Sequence, residues 1–132
     1  MASNRATTLK YRQLITLWLT AELGIKLKPR PYVVSLAQAF SDDYQPGHVW
    51  GLEGIGVENG ITINTHHERD YQPGQQVQRA RADAESRADA GPDDIYFSVQ
   101  FRQGFSDPAD SLVFTDLATL GRVLALISKN QG

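Results

Sequence analysis

The chain has 132 residues, 41% of them hydrophobic and 21% charged, with a formal net charge of −2 and no cysteine. That length suits a single domain over 1–132, and the missing cysteine excludes disulfides, thiolate zinc sites and a cysteine nucleophile. No run approaches the roughly 20 apolar residues that cross a bilayer. The polar start Met1-Ala2-Ser3-Asn4-Arg5 also lacks the apolar centre of a secretory signal, so a cytoplasmic location with no membrane partner is expected.

The charge is unevenly spread. Residues 1–30 carry +5, the remainder −7. Such asymmetry suits either a nucleic-acid or acidic-partner surface, or a basic segment lying against the protein's own acidic surface. Residues 1–6 are expected to form a flexible N-terminal tail. A helix is predicted over 8–23, where Tyr11, Leu14, Ile15, Trp18 and Ala21 recur at helical spacing and Gly24 is placed to end it. Leu9, Leu17 and Leu19 widen its apolar surface, so it is expected either in the core or shared with a partner chain.

Lys26, Lys28 and Arg30 then alternate with Ile25, Leu27 and Pro29 in an extended connector. Together with Arg12 they are the candidate partner-binding residues. Residues 32–40 fit either a strand or a helix, and the start Tyr32-Val33-Val34 favours the strand. Between 48 and 66, two β-rich runs flank Glu58-Asn59-Gly60. A three-residue loop would pair Val57 with Ile61 and Ile55 with Ile63 on one face, with Gly60 left-handed, so a hairpin of that register is expected. The pentapeptide Asp43-Tyr44-Gln45-Pro46-Gly47 recurs as Asp70-Tyr71-Gln72-Pro73-Gly74, which predicts two similar turns.

Residues 76–90 predict a polar helix with ion pairs Arg79/Asp83, Arg81/Glu85 and Asp83/Arg87. Its apolar content is almost only alanine, so it is expected to be exposed and lightly attached. Ile95, Phe97, Val99 and Phe101 alternate with polar residues and predict a half-buried strand. Leu112 to Thr115 returns as a second strand. Asp116 then caps a helix whose Leu117, Leu120, Val123, Leu124 and Ile127 form one stripe. That stripe and the inward face of the 95–101 strand are expected to make the centre of the core.

The expected fold is α+β. An antiparallel sheet of four or five strands carries the N-terminal and C-terminal helices on one face, and the polar helix lies in the middle connection. This order of elements resembles the class I chaperones of type III secretion, which implies a small acidic dimer that binds extended segments of a client protein. The likeness is in element order, and the polar middle helix departs from the apolar dimer helix of that family.

His66, His67 and Glu68 are the candidate acid–base or metal cluster, with His48 elsewhere. Successive histidines at a strand end point to opposite faces, and no HExxH or other ligand-spaced motif accompanies them. The glycines at 51, 54, 56 and 60 lack the Lys-Ser/Thr and the helix of a phosphate loop. Ser106-Asp107 does not sit in a nucleophile motif. No catalytic residue and no cofactor are implied. The primary expectation is a non-enzymatic protein-binding module, such as an adaptor, small chaperone or inhibitor, acting through a sheet face or a helix and forming a homodimer. Alternatives are a nucleic-acid-associated protein using the basic segment, and a metal-assisted enzyme at His66/His67.

Overall fold

The computed structural model describes residues 4–40, 45–87 and 89–131. Residues 1–3 of the expected tail, and Asp43 and Tyr44 of the first pentapeptide, lie outside the described residues. In chain order the elements are α1 (Asn4–Leu23), β1 (Lys28–Pro29), α2 (Leu36–Ala39), β2 (Val49–Trp50), β3 (Ile61–His66), α3 (Pro73–Glu85), β4 (Ile95–Gln100), β5 (Leu112–Phe114) and α4 (Leu117–Gln131). Two 3₁₀ turns, Leu52–Ile55 and Pro108–Asp110, interrupt the connections. The chain is α+β, but the expected sheet of four or five antiparallel strands is not formed. Instead β1 and β2 make a small antiparallel pair, and β3, β4 and β5 make a separate sheet in that order.

The long α1 starts at Asn4, earlier than expected, and ends where expected, at Gly24 (φ 68). Ile15 is the part of it sunk deepest in the core, with Tyr11, Leu14 and Leu19 packed around. The core joins these to Leu27, Val49, Leu52, Ile63, Val99 and Phe101. The predicted strand over 32–40 is absent. That segment holds one helical turn, α2, leaves Tyr32, Val33, Leu36 and Phe40 exposed, and pairs with no strand among the described residues.

The expected hairpin at 58–60 is also absent. Its first arm is broken by Gly51, whose φ of 98° turns the chain where an added Cβ would lie 2.7 Å from the Lys26 carbonyl oxygen. Residues 52–55 then coil into a 3₁₀ turn. Gly60 is not left-handed. It is needed for close approach, since a Cβ there would lie 2.9 Å from an Asp94 carboxylate oxygen and 3.1 Å from Arg87 Nη1. The Gly60 carbonyl accepts the Ile95 N–H at 2.8 Å, and this opens a parallel ladder of β3 on β4, from Ile61 opposite Ile95 to His66 opposite Gln100. β5 pairs antiparallel to β4, with Val113 opposite Val99.

A parallel pair needs a crossover, and α3 supplies it by lying across the sheet. Pro73-Gly74 therefore opens a helix, with proline in its first turn, and the second pentapeptide does not make the expected turn. Nor is α3 lightly attached. Ala80 and Ala84 are fully buried against Tyr96, because alanine lets the helix backbone come close to the strands. Of the expected ion pairs, Arg81 and Glu85 meet at 2.9 Å, whereas Asp83 accepts from Asn64 at 2.8 Å and Arg87 pairs with Asp89 at 3.2 Å.

The strand residues read as polar and outward are thus buried beneath α3 and must find partners. Gln76 donates to Gln100 at 2.8 Å, Ser98 donates to Gln76 at 3.0 Å, and Gln100 donates to the Glu68 carbonyl at 2.7 Å. The tight fit yields a prediction. Replacing Ala80 by Leu, neutral on an exposed helix, is expected to lower unfolding stability by about 1–3 kcal/mol by overpacking. Unchanged denaturant unfolding would show that α3 stands clear of the sheet.

Candidate functional site

The other face of the three-stranded sheet is apolar, and α1 covers only part of it. Ile63, Phe97, Val99 and Val113 form the floor of the open part, Ile15, Trp18 and Leu19 form one wall, and Pro108 and Ala109 form the other. They enclose an open apolar groove of about 300 Å³, in the size range of ligand clefts. The groove runs beside β5, whose outer edge pairs with no strand among the described residues. Phe97 is consequently only partly buried, and Val113 is 58% exposed.

The second unusual surface is on α4. Asp116 caps it by accepting the Thr119 N–H at 2.8 Å and also accepts a hydrogen bond from the Tyr96 hydroxyl. Burial pushes the Asp116 carboxyl up, but the bonds from Tyr96 and Thr119 outweigh this and hold it below the usual carboxylate range. Arg122 donates to the Asp94 carbonyl at 2.8 Å. The helix is thus held by polar contacts, with Thr119 fully buried. Of the predicted core stripe, Val123 is half-buried, but the other four residues face the other way: Leu117 is 82% exposed, Leu120 43%, Leu124 55% and Ile127 49%.

The structure separates the four candidate cations. Arg12 is buried and donates to the Arg30 carbonyl at 2.5 Å. Burial, and then the charge of Arg30, lower its pKa to about 10, which leaves it protonated at neutral pH. Arg30 donates to the Pro46 carbonyl at 2.6 Å. Both guanidiniums therefore tie irregular backbone to the core. Lys26 and Lys28 are exposed, and the Lys28 ammonium stands 5.4 Å from the Trp50 ring centre. They line a cleft of about 540 Å³ whose walls also carry Glu53 and Asp89, so the surroundings are of mixed sign.

The histidines diverge as strand geometry requires. His66 is buried on the α3 side, with Nδ1 3.8 Å from Glu68 and with Nε2 buried and without a hydrogen-bond partner. His67 stacks on Tyr11 at 5.1 Å and meets the Thr8 hydroxyl at 3.2 Å. Glu68 is exposed and accepts the His67 N–H. Among the described residues no three His, Asp or Glu side chains are placed to share a metal ion. His48, absent from the candidate cluster, accepts the Thr65 N–H on Nδ1 at 2.7 Å, so its proton sits on Nε2. Its ring centre lies 6.0 Å from that of His66.

No family model, curated protein or solved structure matches the chain. The element order that suggested the class I secretion chaperones contained a hairpin and an all-antiparallel sheet, and neither is formed. Among the described residues no helix is long and apolar enough to cross a membrane.

Burial, and then the charges of Arg12, Arg30 and His66, lower the His48 pKa to about 2. The unfolded chain protonates this residue below about pH 6.5, while the folded chain does not. Stability is therefore fully present above that pH and declines as pH falls, by up to about 1.4 kcal/mol per pH unit from this residue. His48→Asn, which keeps an acceptor for Thr65, is expected to flatten the acid limb of the stability curve. Equal acid slopes in urea titrations of the two proteins would refute the assignment.

Proposed function

We infer that the protein is a non-enzymatic binding module whose apolar groove, between α1 and the sheet, takes a segment of another protein. The observation that supports this is the groove itself. Its lining is almost wholly apolar, it lies open to solvent, and it adjoins a strand edge that pairs with no strand among the described residues. A partner in extended conformation adds main-chain hydrogen bonds to such an edge and places alternate side chains in the groove. Trp18 and Phe97 supply the large flat surfaces that dominate interface energies. Nothing in the lining is charged, so the side chains that enter are expected to be apolar.

The groove can be blocked without disturbing the core. Ala109 is exposed on the groove wall, so Ala109→Glu is expected to change stability by no more than about 0.5 kcal/mol. A photo-crosslinking side chain at position 113, in cells of the native host, is expected to give an adduct of defined mass that the Ala109→Glu variant loses. A control crosslinker at the exposed position 78, on α3, gives none. If position 113 captures no more than position 78 does, the groove is not a protein-binding site.

A further inference from the structure

We propose that the exposed stripe of α4 is covered by the same stripe of a second copy of this chain, giving a two-fold dimer through a pair of packed helices. The first argument is charge. On the outward side of α4 stand Leu117, Leu120, Gly121, Leu124, Ile127 and Ser128, with no ionisable group among them. Of the ionisable groups of α4, Arg122 is turned inward to the Asp94 carbonyl, and Lys129 stands exposed in the last turn, beside Ser128 at the end of the face. A partner that set a charged side chain on this face would bury it without a counter-charge. The occupant must therefore be uncharged over the same length, and α4 of a second copy meets that condition.

The second argument is spacing. Leu117, Leu120, Leu124 and Ile127 follow one another at three, four and three residues, the interval at which the apolar seams of two helices interlock. Gly121 sits within this face and leaves a hole, since nothing lies within 4 Å of the place a Cβ would occupy. Glycine inside a helix is destabilising, and a hole of this kind is useful where a side chain from a facing helix fills it. In a two-fold arrangement the Leu124 or Leu120 of each chain is the available knob.

The third argument is size. The seam from Leu117 to Ile127 spans only about 15 Å of helix, so two such faces bury less than the roughly 800 Å² per partner of a standard stable interface. The dimer is therefore expected to be a weak and reversible one. The groove beside β5 stays free for another occupant, and the inference does not depend on the reading of that groove.

Sedimentation velocity of the full chain, from low to high micromolar concentration, tests this. The parent is expected to pass from the 14.6 kDa monomer to a species of twice that mass. Leu124→Glu is expected to weaken self-association by about a hundredfold or more, because the carboxylate would be buried unpaired. Gly121→Leu, which fills the hole but meets nothing within the monomer, is expected to do the same. Thermal unfolding at low concentration verifies that both variants remain folded. A parent that stays monomeric throughout overturns the proposal, and so does a dimer that survives both substitutions, since another surface would then hold it. A stable complex of the parent with a different protein, lost in Leu124→Glu while no dimer forms, assigns the stripe to that partner and also overturns the proposal.

Discussion

The parallel pairing of β3 with β4 governs the rest of the molecule. Two parallel neighbours cannot be joined by a tight turn, so the chain must cross the sheet between them. That crossing is α3. Once it lies over one face, the side chains beneath it leave water, whatever their polarity. Here they are Thr62, Asn64, His66, Tyr96, Ser98 and Gln100, and all six are buried. A polar face can be buried only if its groups are paired, which explains the chain of bonds from Ser98 through Gln76 to Gln100 and from Asn64 to Asp83. Alanine at 80 and 84 is the other half of this solution, since a larger residue would hold the helix too far off for side chains as short as Ser98 and Asn64 to reach it.

With α3 committed to the polar face, α1 is left to cover the apolar one. It does so through Ile15, Leu14 and Leu19, helped by Leu27, Val49 and Leu52 from the irregular stretch, and it stops short of Val113 and the outer part of Phe97. The groove is the uncovered remainder. α4 does not close it, because Asp116 and Arg122 anchor that helix to Tyr96 and Asp94, with Leu117, Leu120 and Leu124 outward. Two apolar surfaces are thus left in water, and large exposed apolar patches on small proteins mark places of association.

The residues that look most reactive in this chain serve the fold. The stretch from Gly24 to Gly60 has little regular structure among its described residues, so many of its carbonyls lack ladder partners. Arg12 and Arg30 donate to carbonyls there, and the His48 imidazole accepts the Thr65 N–H of β3. A guanidinium is suited to such a site because it stays charged when buried and offers several donors in one plane.

The sequence by itself determined whatever depends on neighbours a few residues apart. The three long helices, the stop at Gly24, the Asp116 cap and the strands at 61–66 and 95–100 were legible, because spacing, caps and turn residues act locally. The candidate site was legible only in kind. The apolar stripe of α4 was plain, but it was expected in the core, and the groove was invisible because α1, β3, β4, β5 and the turn at 108–110 each contribute part of it. Periodicity records that a face is apolar and carries no information about what lies against it. Hairpin patterning at 55–63 was likewise satisfied by the apolar residues, yet the backbone at Gly51 and the close approach of Asp94 and Arg87 to Gly60 directed β3 to a parallel partner instead. Strand direction, the burial of Ser98 and Gln100, and the exposure of Leu117 and Leu124 were decided by tertiary structure alone, because each depends on contacts between segments 20 or more residues apart.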